Sequence, residues 1–245
     1  TNQPSMTVNP STSSNKRPDG RLGGGSLRPL ACELSCLQQC NGSAKWSAGG
    51  SKVIAAVHGP IAPRRTESEN PENGLLVVIY PGSRKEEALF LERALSACIV
   101  LEMYPQTMIE VVLQTIQSDG SMLGTALHAA VAALLDAGIH MRTIPVSTTC
   151  LLKTNQANSF MIHLDPISDE ETTDSVVVVV TPSQGSTDGI GDGVIGTFAT
   201  GPPIPLDALF SCYTKARKAR GAVASFLKLA VEQKVTNESN TVYSF

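Results

Sequence analysis

The segment 125–137 constrains the fold most, because it has the length of a helix and is apolar on almost every side. A helix of this kind is buried on most of its faces. Its many alanines allow close packing against a sheet, and Gly138 is a typical residue just beyond a helix C-terminus. The rest of the chain must therefore supply the strands and helices that enclose this segment.

Nine short stretches have the composition of strands and end at glycine, proline, asparagine or other turn residues. The predicted strands are 30–37, 44–47, 51–58, 75–80, 108–116, 143–152, 160–164, 176–180 and 194–198. Residues 108–116 are largely apolar, so we expect this strand to be central in its sheet. Asn41-Gly42-Ser43 and Ala48-Gly49-Gly50 are predicted to be tight turns, because asparagine and glycine tolerate positive φ.

Two more helices follow from apolar residues at helical spacing. Ser83 is the predicted N-cap of the first, and Pro205 opens the second, which is expected to end near Val235. The element order predicts an α+β fold with mixed β-sheets packed against buried helices. We expect a disordered tail at 1–16, a single domain at 17–235 and a polar tail at 236–245.

Composition narrows the function classes. The net charge is −3 and aromatic residues make up 4% of the 245 residues. A strong overall basic field for nucleic acid and an aromatic platform for stacking bases are therefore not expected, although local basic patches remain open. No apolar run approaches the roughly 20 residues of a membrane helix, so no membrane association is predicted.

Two patterns suggest ligand sites but have simpler explanations. Residues 191–196 match G-x-G-x-x-G, yet a loop precedes them and a strand is predicted to follow, whereas the dinucleotide motif opens a helix. Cys32, Cys36 and Cys40 would share one face of a helix and suggest a metal cluster, but a strand and turn also fit this segment. Structural thiols are favoured there, and no metal or cofactor is predicted.

Several separated motifs carry a family resemblance. They are Arg17-Pro-Asp-Gly-Arg21, Ser26-Leu-Arg-Pro-Leu30, Asn41-Gly-Ser-Ala44, the segment 52–60, the segment 114–138 and Leu164-Asp-Pro166. In this order, over about residues 17–233, they resemble the RNase PH family. Within that family they most resemble the RNase PH-like ring subunits of the eukaryotic RNA exosome. The resemblance implies an RNase PH-type fold with a βαβα core.

The resemblance also identifies a degenerate active site. Active members place Gly-Gly-Thr-Arg in the turn before the buried helix, where the Thr and Arg bind phosphate. The matching positions here are Gly120, Ser121, Met122 and Leu123. A thioether and an isobutyl group cannot replace the hydroxyl and guanidinium that hold an anion, so the resemblance implies that this chain is not an enzyme.

Two acids and four basic residues complete the candidate set. Asp165 and Asp174 match by position the acid that protonates the leaving group, although turn and strand-end roles are the favoured reading. Arg84 and Lys85 occupy a loop that faces the central channel in the ring subunits, which implies contact with the RNA backbone. Residues 64–65 (Arg64 and Arg65) form a second basic pair, for which RNA contact and simple solvation are equally favoured.

The resemblance therefore implies a non-catalytic structural subunit of the exosome ring that supports 3′-to-5′ RNA processing and degradation. Its expected partners are other RNase PH-like subunits as heterodimer partner and ring neighbours, single-stranded RNA in the channel, and a separate hydrolytic exonuclease. The implied location is the nucleus, including the nucleolus, and the cytoplasm. The alternative is a residual phosphorolytic or hydrolytic nuclease that acts as a homodimer.

Overall fold

The computed structural model describes residues 17–63, 72–154, 160–171, 174–183 and 193–242. These residues form nine strands and three α-helices: β1 Leu30–Leu34, β2 Gly42–Ala48, β3 Ser51–Ile61, β4 Leu75–Ile79, α1 Lys85–Ser96, β5 Met108–Gln117, α2 Met122–Asp136, β6 Pro145–Thr154, β7 Phe160–Leu164, β8 Ser175–Pro182, β9 Gly196–Thr200 and α3 Leu206–Val242. None of the helices among these residues is both long and apolar enough to cross a bilayer.

The strands form two sheets. The first has the order β1-β2-β3-β5-β4, in which only the β4–β5 pair is parallel. The second has the order β7-β6-β8-β9 and is antiparallel throughout. β5 lies between β3 and β4, which confirms its prediction as a central strand.

Helix α2 forms the centre of the core and packs against both sheets, on β2 and β3 of the first and β6 of the second. Every residue from Leu123 to Leu134 is buried, as the all-round apolar pattern predicts. The approach to β2 is close: a Cβ added at Gly42 would lie 2.3 Å from the backbone nitrogen of Ala137. Only glycine fits at this position without moving the helix.

The helix ends differ most from prediction. Helix α2 begins at Met122 and not at 125, because Ser121 adopts a left-handed conformation (φ 50°) that turns the chain directly into the helix. Ser83 does not cap α1, since its hydroxyl donates to the Tyr80 carbonyl and Arg84 occupies the N-cap. Helix α3 continues past Val235 to Val242, because no glycine or proline follows Gly221 to stop it.

Other predicted segments change in extent or lie beyond the described residues. β1 ends at Leu34, so Cys32 belongs to a strand while Cys36 and Cys40 lie in the following loop. The three thiols therefore share no helix face. Residues 1–16, the predicted disordered tail, and Gly191 and Asp192 of the glycine motif lie outside the described residues. A strand does follow the motif, as predicted, but it spans Gly196–Thr200 and not 194–198.

Candidate active-site cleft

The turn between β5 and α2 is held by a buried arginine. Arg28 Nη1 donates to the Asp119 carbonyl at 2.6 Å and Nη2 donates to the Gly120 carbonyl at 3.2 Å. The Ser51 hydroxyl also donates to the Gly120 carbonyl, at 2.6 Å. Gly120 has φ +75°, and a Cβ there would lie 2.6 Å from the Pro166 carbonyl oxygen. The turn is therefore fixed by the hydrogen bonds from Arg28 and Ser51 and by the close packing of Gly120 against Pro166.

The same arginine holds Asp165. Arg28 Nη2 donates to Asp165 Oδ1 at 2.8 Å, and the Arg28 backbone N–H donates to Oδ2 at 3.0 Å. Burial alone raises the pKa of Asp165, but the hydrogen bonds and charge of Arg28 outweigh this effect and lower it. Asp165 is thus an ionised partner of Arg28 at the base of the turn.

An open cleft of about 270 Å³ lies where the N-termini of α1 and α2 face the second sheet. Its lining consists of Arg84, Glu87, Ser121, Met122, Leu123, Thr149, Glu171, Val176, Val178, Phe198 and Thr200. The three consecutive residues of the degenerate turn and the predicted RNA contact Arg84 therefore meet in one cleft. Asp165 and Asp174 are not part of this lining.

One wall of the cleft is a flat patch of the second sheet. Val178 pairs with Thr149 on one side and with Phe198 on the other, so these three side chains lie side by side on one face. Val176 and Thr200 form the next pair on the same face, two residues along each strand. This wall is apolar, apart from two hydroxyl groups.

The opposite wall begins at α2. Met122 and Leu123 are its first two residues and bring a thioether and an isobutyl group to the position where a phosphate site would need donors. The backbone N–H of Ser121 already donates to Glu171 Oε1 at 2.7 Å. A carboxylate of the chain itself thus occupies the N-terminus of α2, where anions are favoured.

Glu171 lines the cleft, although no sequence motif identifies it as a site residue. The pKa of Glu171 is raised, mainly because the side chain is buried, and the nearby acids Asp165 and Asp119 raise it further. The hydrogen bond from Ser121 and the charge of Arg28 lower the pKa but do not outweigh these effects. The only sequence signal is the acidic run 169–171 shortly after the Leu-Asp-Pro motif. That run does not show which of its acids turns toward the cleft.

Helix α1 has a similar arrangement. The N-cap residue Arg84 is exposed, and its backbone N–H donates to Glu87 Oε2 at 3.4 Å. Glu87 and Arg84 both line the cleft, whereas Lys85 is exposed without being part of the lining. Each of the two helix N-termini at the cleft therefore has a glutamate of this chain at its first N–H.

The remaining candidates are separate from the cleft or outside the described residues. Asp174 is half-buried just before β8, and a Cβ added at Gly201 would lie 3.1 Å from its carbonyl oxygen. Arg64 and Arg65 lie outside the described residues. No group of three or more His, Cys, Asp or Glu residues within the described ranges has the arrangement of a metal site.

Comparison with known proteins decides the family. Residues 26–140 match the model of the 3′ exoribonuclease family, domain 1, also named RNase_PH. The chain is 34% identical over 235 residues to the exosome complex exonuclease RRP46 homolog of Arabidopsis thaliana, covering 89% of this chain and 96% of that protein.

The chain belongs to the RNase PH family. Among solved structures, rice (Oryza sativa) Rrp46 superposes with a TM-score of 0.76 at 30% identity and covers 88% of this chain and 100% of that one. An Archaeoglobus fulgidus exosome with RNA bound to the active site gives a TM-score of 0.70 at 20% identity, over 86% of this chain and 92% of that one, which shows the shared fold.

These matches confirm the predicted RNase PH fold. They also confirm the resemblance to the RNase PH-like ring subunits of the eukaryotic exosome. Among these subunits, the motifs of the sequence most resemble exosome component five, which is Rrp46, and both relatives above are Rrp46 proteins. The chemistry of the cleft in this chain depends on its own residues at 121–123 and 171.

Proposed function

We propose that this chain is a non-catalytic structural subunit of an RNA exosome ring, which supports 3′-to-5′ RNA processing and degradation by helping to form the channel that threads RNA. One observation carries the proposal. The helix end at which active family members bind phosphate here presents Met122 and Leu123 and donates its first N–H to Glu171.

The charges of the cleft support the absence of phosphorolysis. A phosphorolytic site must hold inorganic phosphate beside the phosphodiester that it cleaves, and two anions in one pocket need cations and several donors. Among the described residues, the cleft lining includes one cation, Arg84, and two acids, Glu87 and Glu171. The formal charge of this described lining is therefore −1 when both acids are ionised, which repels phosphate.

The proposed partners follow from the family and the surface. The chain pairs with a second RNase PH-like subunit and with ring neighbours, as the relatives named exosome components suggest. Single-stranded RNA in the channel contacts Arg84 and Lys85, with Arg64 and Arg65 as a second basic pair. A separate hydrolytic exonuclease degrades the RNA, and the assembly works in the nucleus, including the nucleolus, and in the cytoplasm.

Affinity purification of the tagged full-length chain, followed by mass spectrometry of the intact complex, tests this assignment. We expect the complex to contain five other RNase PH-like subunits, each in equal amount to this chain, which together form a closed six-membered ring. Recovery of the chain only as a self-associated dimer, with no other RNase PH-like protein, would contradict the proposal and favour the homodimeric nuclease.

A further inference from the structure

Side chains of the protein do not fill the cleft, so it remains open as a pocket. At about 270 Å³ it falls just below the range of roughly 300–1,000 Å³ that is typical of small-molecule sites. Val176, Val178 and Phe198 of the second sheet line this space together with Met122 and Leu123 of α2. A flat apolar group of modest size therefore matches the pocket better than a hydrated anion does.

Phe198 supplies an aromatic surface to this pocket. Its ring is half-buried and is supported by Phe90, with ring centroids 5.3 Å apart and an interplanar angle of 43°. The contact fixes the ring beside Val178 and leaves part of it accessible in the cleft. Aromatic side chains that are held in this way stack on nucleic-acid bases whatever the base sequence.

Glu171 gives the pocket a polar feature that distinguishes between ligands. Oε1 accepts the Ser121 N–H, and a carboxylate has further lone pairs for ligand donors. A group with an amino donor satisfies these lone pairs, whereas a carbonyl oxygen at the same point is repelled. The Arg84 side chain also lines the cleft and is exposed, so its guanidinium is accessible to a phosphodiester.

We propose that the cleft binds a base of single-stranded RNA in place of inorganic phosphate, and that Glu171 selects amino-bearing bases over uracil. The base packs between Phe198 and the side chains of Met122 and Leu123, and its exocyclic amine donates to Glu171. Arg84 contacts the phosphodiester that follows. The inference rests on the proposed channel role, since that role brings single-stranded RNA to the cleft.

Cytidine and uridine form a matched pair of probes, because they differ at the C4 substituent, which is an amine in one and a carbonyl in the other, and at N3. The full-length chain, labelled with ¹⁵N, is titrated with cytidine, uridine and inorganic phosphate, and the amide signals of residues 121–123 are followed. We expect saturable shifts with cytidine, binding of uridine weaker by about tenfold or more, and no specific shift with phosphate.

Two variants separate the contributions of stacking and hydrogen bonding. Phe198→Ala should weaken both nucleosides by about tenfold, as loss of one stacking contact does. Glu171→Gln should remove the preference for cytidine, because the amide can donate to the C4 carbonyl of uridine. Phe210→Ala is the matched control, since this exposed aromatic lies on α3 outside the cleft and should change neither affinity.

The outcomes are distinct from those of the ring experiment. Equal affinity for cytidine and uridine, or binding of phosphate without nucleosides, would overturn the base-binding inference even in a chain that enters the ring. Failure to enter the ring would overturn the proposed function. The nucleoside titration would still test the base-binding inference, because it uses the chain by itself.

Discussion

Arg28→Ala should destabilise the fold strongly, because it removes the centre of a buried network. The Arg28 side chain is 3% exposed and forms its ion pair with Asp165, whose side chain is 12% exposed. Alanine keeps the backbone N–H on the Asp165 carboxylate but removes the cation, and it leaves the Asp119 carbonyl without its guanidinium donor.

The expected magnitude follows from this geometry. Removing one partner of a buried ion pair costs about 3–5 kcal/mol of unfolding free energy, because the other charge stays buried and unpaired. For a domain of this size, each 1 kcal/mol lowers the melting temperature by about 2–4 °C, so we expect a decrease of about 6–20 °C.

Thermal and urea unfolding followed by far-UV circular dichroism measure this effect. Lys45→Ala is the matched control, because the Lys45–Glu33 pair is 36% and 65% exposed and should contribute less than about 1 kcal/mol. If Arg28→Ala unfolded within about 1 kcal/mol of the control, Asp165 would not be the structural partner described above, and its role as a catalytic acid would regain support.

Three further outcomes follow from the structure. Met122→Thr combined with Leu123→Arg should give no phosphorolysis, because the helix N-terminus is still occupied by a carboxylate; release of nucleoside diphosphates from RNA would refute this. His128 is buried, and desolvation lowers its pKa to about 4, so the unfolded chain binds more protons below pH 6.5. Stability should fall as the pH decreases from 6.5 to about 4, by roughly 3 kcal/mol in urea titrations, and a flat profile for the wild type would contradict the burial. Arg84→Ala should reduce the salt dependence of RNA binding by the assembled ring by about 0.7 in the log–log slope, whereas Arg142→Ala, beyond the far end of α2, should leave it unchanged.

Local patterns predict most of the elements. The pattern of residues 160–164 predicts β7 residue for residue, and the all-apolar helix predicts the buried α2. Such features depend on which side chains of a segment are buried, and the spacing of apolar residues in the sequence predicts this. The end of α3 is less accessible to this reasoning, because a polar segment such as 236–242 is compatible with a helix or a tail.

The composition of the cleft depends on contacts between distant parts of the chain. Ser121 and Glu171 are 50 residues apart, and Arg28 and Asp165 are 137 apart, yet each pair is joined by a hydrogen bond. The motif resemblance identifies the positions 121–123, but only the folded chain shows that Glu171 occupies the helix end and that Asp165 is paired with Arg28. Sequence spacing carries no record of these side-chain directions.

A phosphorolysis assay tests the central claim most directly. The purified full-length chain, alone and paired with an RNase PH-like neighbour, is incubated with single-stranded RNA with and without phosphate or a divalent cation. The structure predicts that no nucleoside diphosphate is released by the chain alone and that the pair releases no more than the neighbour alone. Phosphate-dependent release of nucleoside diphosphates that Glu171→Gln abolishes would show that the cleft is catalytic and would contradict the structural role.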